Sequence, residues 1–239
     1  QVGFDNLNEM RAAITPETGG IIVEPVQGEG GIRPMSADYL KGLRQIADEF
    51  GLLVMYDEVQ CGIGRTGKLF AHEWAGVPPD ILASAKGLGG GFPTGACLAT
   101  ERVAEVMTAG SQGTTFGGNP LAMAVGNAVL DVILGDGFLD QVNTVAKQLG
   151  TGLEDLAARH GDVLESARGM GLMMGLKCRG TNGENGQLVK ILMDEGLLTV
   201  PAGDNIVRMV PPLVIESAHV EEALGILDRG CATLATRAG

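Results

Sequence analysis

Two charged side chains follow apolar segments near the middle of the chain, and their placement could support chemistry. Residues 52–56 form an apolar run that ends in Asp57, and a shorter run, 81–83, leads into Lys86. We interpret both runs as buried strands of one sheet, because short apolar runs bounded by turn residues are typical of core strands. Open α/β sheets bind ligands at the carboxyl ends of their strands. Asp57 and Lys86 are therefore the first candidates for a functional site.

A lysine and a carboxylate at one sheet edge suit the chemistry of pyridoxal 5'-phosphate (PLP). The lysine can form a Schiff base with the aldehyde, and the carboxylate can keep the pyridine nitrogen protonated so that the ring withdraws electrons. The alternatives are a solvated strand end for Asp57 and an ordinary surface lysine for Lys86. We favour the cofactor hypothesis because a carboxylate drawn into a buried sheet edge needs a charged partner.

The glycine-rich residues 62–67 offer a second hypothesis, a nucleotide-binding loop. They match G-x-G-x-x-G, and Lys68 extends the match almost to a Walker A loop. Leu69 stands where that loop needs Ser or Thr, and no helical pattern begins there to bind phosphate. No acid ends a second strand about 20 residues later, as a ribose-binding unit requires. A plain turn is the preferred interpretation, and no G-x-S-x-G sequence indicates a hydrolase.

Composition limits the partners of this 239-residue chain, whose net charge is −12. An acidic surface argues against non-specific binding of nucleic acid, and it gives no attraction to an anionic membrane. No apolar run approaches the ~18 residues of a membrane span. The cysteines show no C-x-x-C spacing, which favours four buried thiols in a reducing cytoplasm. The histidines are scattered, so no metal site is predicted: His72, His160 and His219.

The surrounding pattern predicts an α/β protein with two domains. A strand at 20–24, a helix capped by Ser36 and ended by Gly51, and a strand at 52–59 form a βαβ unit whose strands are parallel. Three helices and a strand complete a large domain, residues 1–135: helices 6–14, 101–107 and 120–134, and strand 96–99. A small α+β domain, 136–239, follows. Its predicted elements are helices 138–160, 187–194 and 217–236, antiparallel strands within 163–178, and strands 197–200 and 206–210.

With these residues in view, the chain closely resembles the class III PLP-dependent aminotransferases, and within them the acetylornithine aminotransferase branch. The resemblance covers essentially the whole chain. Its most specific parts are VEPVQGEGG at 23–31, the stretch 56–99, GTTFGGNPLAMAV at 113–125 and VRMVPPLVI at 207–215. The resemblance implies the PLP-dependent transferase fold of type I, with an incomplete, mainly parallel sheet in the large domain.

The resemblance also implies a role for each matching residue. Lys86 would carry PLP and later move the proton between the substrate carbon and the cofactor. Asp57 would pair with the pyridine nitrogen, Gln60 would bond to the ring oxygen, and Val59 would pack on the ring face. Thr115 would bind the phosphate across a homodimer interface.

Three further residues would bind substrates by the same resemblance. Arg208 would bind the substrate carboxylate through two parallel hydrogen bonds. Glu29 would cover that arginine when the amino donor reacts through its ω-amine, and Thr114 would lie beside the substrate. The implied reaction is transfer of the amino group of N-acetylornithine to 2-oxoglutarate in arginine biosynthesis, catalysed by a cytoplasmic homodimer.

Family members carry a further N-terminal portion, about 150 residues by the usual domain sizes. We therefore expect this chain to be the C-terminal part of a larger enzyme. Ornithine, succinylornithine, succinyldiaminopimelate or 4-aminobutyrate are alternative donors within the class. A folded, non-catalytic fragment is the alternative from a different class, and a nucleotide-binding domain built on 62–68 is the third.

Overall fold

The computed structural model describes residues 1–180 and 184–238. The helices are α1 Leu7–Ala12, α2 Ala37–Phe50, α3 Glu101–Ala104, α4 Pro120–Ile133, α5 Phe138–Arg159, α6 Glu184–Asp194 and α7 Ser217–Ala238. The strands are β1 Gly20–Val23, β2 Val26–Gln27, β3 Arg33–Pro34, β4 Leu53–Asp57, β5 Ile81–Ser84, β6 Ala96–Ala99, β7 Leu164–Met170, β8 Met173–Cys178, β9 Val200–Ala202 and β10 Ile206–Met209.

The chain divides into two compact units. The first contains residues 1–25, 35–64 and 68–136. The second contains residues 26–34, 65–67 and the chain from Gly137 onward. These units do not follow the ranges 1–135 and 136–239 throughout, because two short segments of the N-terminal half pack with the C-terminal part.

The first unit is built on a sheet with the order β1–β4–β5–β6. β1, β4 and β5 are parallel, and β6 runs antiparallel to β5. Helix α2 connects β1 to β4 and begins where Ser36 Oγ accepts a hydrogen bond from Tyr39 N. It ends at Gly51, whose φ of 69° is the left-handed conformation that favours glycine. The mainly parallel sheet and its βαβ unit confirm the predicted α/β fold.

Apolar side chains of α2 form the core of this unit with the sheet. Leu40, Leu43 and Ile46 are buried and pack with Val54 and Tyr56 of β4. The 3.6-residue repeat places the helix residues on one face, while alternate residues of β4 point to it from the sheet. This packing fixes β4, and with it the position of the strand's last residue.

Several details differ from the predicted elements. The 20–24 run was expected to be a buried strand, but β1 lies at the edge of the sheet and Ile22 is 66% exposed. The predicted strand 197–200 is wrong, since β9 begins only at Val200. Residues 26–34, for which no strand was predicted, contain the β2–β3 hairpin. Cys97 is exposed on edge strand β6, so the expectation of four buried thiols is also wrong.

The second unit contains a sheet with the order β7–β8–β10–β9, in which every neighbouring pair is antiparallel. Helices α5, α6 and α7 pack with it around a core of buried aliphatic side chains, among them Leu153, Leu176, Leu192 and Leu227. This is the predicted small α+β arrangement. No single helix in the described residues is long and apolar enough to cross a membrane, although α4 and α5 taken together pass that test of length and composition.

Candidate active site

Asp57 and Lys86 lie at the ends of two neighbouring parallel strands. Asp57 is the last residue of β4 and is paired in register with Ala83 of β5. The backbone N–H of Glu58 donates to Ala83 O over 2.9 Å, which fixes the two strand ends relative to each other. Lys86 follows the end of β5 by two residues. The fold therefore delivers an acid and an amine to one edge of the sheet.

The carboxylate of Asp57 is partly buried and held by its own loop. Its Oδ1 accepts a hydrogen bond from the backbone N–H of Val59 over 3.0 Å. Among the described residues, its Oδ2 has no hydrogen-bond partner. The hydrogen bond to Oδ1 thus fixes the orientation of the side chain. Oδ2 could accept a hydrogen bond from a ligand that carries a positive charge or an N–H or O–H group.

Lys86 begins a short 3₁₀ turn, Lys86–Gly89, and has a φ of 46°. Positive φ is uncommon for residues other than glycine, and strained residues of this kind cluster at functional sites. Its side chain is exposed and makes no hydrogen bond or ion pair with any described residue. Helix α4 contacts this turn. At Gly90, a Cβ would lie only 2.8 Å from Val129 Cγ2 of α4.

Glu58 has a structural role that the sequence did not indicate. It is completely buried. Its carboxylate accepts from Ala71 N over 2.5 Å and from His72 N over 2.9 Å, and Nδ1 of His72 lies 2.7 Å from Oε1. These contacts close the loop that follows β4. Val59 and Gln60, both partly buried, lie in this loop.

Thr114 and Thr115 lie in the exposed loop before α4. Thr114 Oγ1 accepts from Gly117 N over 3.1 Å. Asn119 caps the helix by accepting from Ala122 N over 2.9 Å. The structure therefore gives Thr115 an accessible hydroxyl in the first unit, and its phosphate-binding role stays a prediction.

Glu29 and Arg208 form an ion pair within the second unit. Arg208 lies on β10 and is 9% exposed, whereas 76% of the Glu29 side chain is exposed. The Nη1 of Arg208 lies 2.5 Å from Oε1 of Glu29. An exposed acid thus covers a buried arginine that lies 179 residues away in sequence. The pair therefore joins a solvent-exposed carboxylate to a buried guanidinium.

Arg65 is a further residue whose contacts sequence reasoning missed. It lies in the glycine-rich segment interpreted as a plain turn. Its Nη1 donates to Leu172 O over 3.1 Å and to Pro211 O over 2.6 Å within the second unit. Burial lowers the pKa of Arg65 to about 10. Arg65 therefore ties two distant backbone segments together, and a glycine pattern alone does not indicate such contacts.

Comparisons with known proteins show the family to which this chain belongs. A model of the aminotransferase class-III family matches residues 1–230. The chain is 60% identical over 235 residues to an acetylornithine aminotransferase of Mesorhizobium japonicum, covering 98% of this chain and 58% of that protein. It is 53% identical to an acetylornithine aminotransferase of Agrobacterium fabrum, covering 99% of this chain and 59% of that protein. The chain thus spans less than two thirds of these relatives.

Solved structures of the same family have a similar fold. An N-acetylornithine aminotransferase of Stenotrophomonas maltophilia matches with a TM-score of 0.89 at 35% identity, covering 99% of this chain and 62% of that one. The ornithine δ-aminotransferase of Plasmodium falciparum matches with a TM-score of 0.92 at 30% identity, again covering 99% and 62%. Both likenesses extend over the two units described above.

Proposed function

The chain belongs to the class-III aminotransferase family, and we propose that the whole protein transfers the amino group of N-acetylornithine to 2-oxoglutarate with the help of PLP. The observation that carries the proposal is the pairing of Asp57 with Ala83 in register, which brings Asp57 and Lys86 to one sheet edge. The curated relatives quoted above support N-acetylornithine as the donor.

The residues at this edge fit PLP. Lys86 has an accessible amine, and Asp57 has a partly buried carboxylate with one oxygen unused by the described residues. Lys86 would hold the cofactor, and Asp57 would pair with its pyridine nitrogen. Val59 would pack on the ring, and Gln60 would bond to the ring oxygen. When bound, PLP supplies the electron sink for the reaction.

Four side chains of this chain would act in the reaction. Lys86 would move the proton from the substrate carbon that bears the amine, since it is released at the moment a base is needed. Arg208 would bind a carboxylate of 2-oxoglutarate. Glu29 would return to Arg208 when the donor is bound, because a donor that reacts through its ω-amine presents no carboxylate at that position. Thr114 would contact the substrate.

We include a cytoplasmic homodimer in this proposal, with Thr115 binding the phosphate across the interface. The exposed loop that carries Thr115 supports it, as do the apolar side chains of the following helix. Leu121 and Val132 of α4 are 60% and 57% exposed, and Leu134 beyond it is 58% exposed. Exposed apolar patches of this kind commonly mark protein–protein contacts.

The first experiment asks which lysine holds the cofactor. The full-length protein is incubated with PLP, reduced with borohydride and mapped by mass spectrometry. We expect the label on Lys86, no label in Lys86→Ala, and full labelling in the matched control Lys147→Ala, an exposed lysine of α5. A label that persists in Lys86→Ala would contradict the proposed cofactor site. Absence of any label in well-folded protein would indicate a non-catalytic member of the family.

The second experiment identifies the donor. Ornithine is the strongest alternative donor, because the ornithine δ-aminotransferase of Plasmodium falciparum matches this fold with a TM-score of 0.92. Initial rates with N-acetylornithine, ornithine, succinylornithine, succinyldiaminopimelate and 4-aminobutyrate are compared, each with 2-oxoglutarate as acceptor. We expect the highest kcat/KM for N-acetylornithine. A higher kcat/KM for another donor would replace the substrate and leave the reaction class standing.

A further inference from the structure

The turn that carries Glu29 has a strained backbone. Gly31 has a φ of 108° and the next residue, Ile32, has a φ of 52°. A β-branched residue at positive φ is a true outlier, and it persists only where the surroundings enforce it. Ile32 is completely buried, so the turn is anchored on its inner side while Glu29 lies on its outer side.

Arg168 contacts this turn at its strained position. Its Nε and Nη2 both donate to the carbonyl oxygen of Gly31, over 2.9 Å and 2.6 Å. The same Nη2 lies 2.7 Å from Oδ2 of Asp204. Asp204 is also bound by Lys177 over 2.5 Å. A planar guanidinium presents three N–H groups to these two acceptors in a fixed geometry, which a lysine cannot reproduce.

The backbone of the β9–β10 turn holds Glu29 from the other side. The N–H of Gly203 donates to Glu29 O over 2.9 Å. The approach is close: a Cβ on Gly31 would lie 2.6 Å from Gly203 O, and one on Gly203 would lie 2.7 Å from Glu29 O. The two turns are therefore in direct backbone contact, and Arg168 with Asp204 spans them beside that contact.

From this arrangement we infer that Arg168 is a positioning residue for Glu29. By holding the Gly31 carbonyl, which precedes the strained Ile32, against the β9–β10 turn, Arg168 keeps Glu29 within reach of Arg208. The inference rests on the proposed function, in which Glu29 covers Arg208 for the donor and leaves it for 2-oxoglutarate. Arg168 thus favours the donor half-reaction without touching either substrate.

The test compares Arg168→Met with Lys177→Met in the full-length protein. Lys177→Met is a matched control, because Lys177 binds the same Asp204 but does not contact Gly31. Hydrogen exchange is followed at the amides of Gly31 and Ile32, both of which donate to Gly28 O. We expect exchange there to be about tenfold or more faster in Arg168→Met, since loss of even one charged hydrogen bond has an effect of that size, and unchanged in Lys177→Met.

Single-turnover rates give the functional result. In Arg168→Met, the ratio of donor to acceptor half-reaction kcat/KM should fall about tenfold, in the direction produced by Glu29→Gln. Arg168→Lys should lie between Arg168→Met and wild type, and it serves as the test variant if Arg168→Met does not fold. Three results would each overturn the inference. They are wild-type hydrogen exchange at Gly31 and Ile32 in Arg168→Met, equally accelerated exchange in Lys177→Met, and an unchanged ratio of the two half-reaction kcat/KM values in Arg168→Met. If the wild-type protein shows no turnover, the proposed function is refuted. The hydrogen-exchange comparison would still decide whether Arg168 holds the Glu29 turn.

Discussion

At the scale of single residues, Asp57 and Glu58 are adjacent carboxylates with different surroundings. Glu58 is completely buried, and its oxygens accept hydrogen bonds from Ala71 N and His72 N. Asp57 accepts one described hydrogen bond, from Val59 N. The carboxylate oxygens of Glu58 hold the loop, whereas one oxygen of Asp57 is used by none of the described residues. Under the proposed function, Glu58 is thus the structural acid and Asp57 the acid that would bind the cofactor.

Asp57→Asn should lower the rate of the donor half-reaction about a hundredfold, a loss that corresponds to about 2.7 kcal/mol. An amide cannot stabilise a protonated pyridine nitrogen as a carboxylate does. The check is a single-turnover measurement on the full-length protein. Asp131→Asn, at an exposed position of α4, is the matched control and should react at the wild-type rate. A wild-type rate in Asp57→Asn would show that another group pairs with the cofactor.

Glu58→Ala should reduce the free energy of unfolding by about 3 kcal/mol, because one buried and one partly buried N–H group lose their acceptor. Glu58→Gln keeps one acceptor oxygen and should lose less. Urea denaturation followed by the fluorescence of Trp74, which lies in the 3₁₀ turn that contains Ala71 and His72, measures both. Equal stability of the two variants would contradict the structural role assigned to the carboxylate.

At the scale of elements, the turn after β5 places Lys86, and Gly90 ends it against α4. Gly90→Ala should destabilise the protein by about 2 kcal/mol, because φ is 53° and the new Cβ would lie 2.8 Å from Val129 Cγ2. Gly76→Ala is the matched control: its φ is 68°, but no atom lies within 4 Å of the new Cβ. Combining Gly90→Ala with Val129→Ala should relieve the steric part alone. The test compares the thermal unfolding midpoints of the wild type, the two single glycine variants and the double variant.

Elements with local signals could be predicted from the sequence, and those set by distant contacts could not. Ser36 and Gly51 mark the ends of α2 because capping depends on nearby backbone atoms. The late start of β9 and the exposed side of β1 depend on which strands become neighbours. The positive φ values of Ile32 and Lys86 run against the preferences of their residue types, so no propensity could have indicated them.

At the scale of the whole molecule, short segments of the first 70 residues belong to the second unit. Arg65 donates hydrogen bonds to the carbonyl oxygens of Leu172 and Pro211, which lie 107 and 146 positions later in the sequence. Arg168 donates to the carbonyl oxygen of Gly31, which lies 137 positions earlier. Sequence periodicity reports local structure only, so it could not place these segments. The Glu29 and Arg208 pair was indicated by resemblance to a family, whereas the positioning role inferred for Arg168 follows from contacts seen only in the structure.

Acid stability of the molecule should depend on its buried ion pairs. Burial opposes ionisation of Asp80, but the Val54 N–H, Arg44 and Arg102 outweigh it and lower the pKa of Asp80. A carboxyl with a lowered folded-state pKa stabilises the fold above its unfolded pKa of about 4, and that contribution is lost as pH falls through the folded value.

The urea midpoint should therefore fall with pH below about 4, and less steeply in Asp80→Asn. That variant should already be about 2 kcal/mol less stable at pH 7, because it loses charged hydrogen bonds to two arginines. Asp136→Asn, at an exposed position, is the control and should keep the wild-type slope. The net charge of −12 acts the other way, since protonation relieves repulsion and favours the compact state. A slope in Asp80→Asn equal to that of wild type would mean that repulsion and other carboxylates, rather than this ion pair, control acid unfolding.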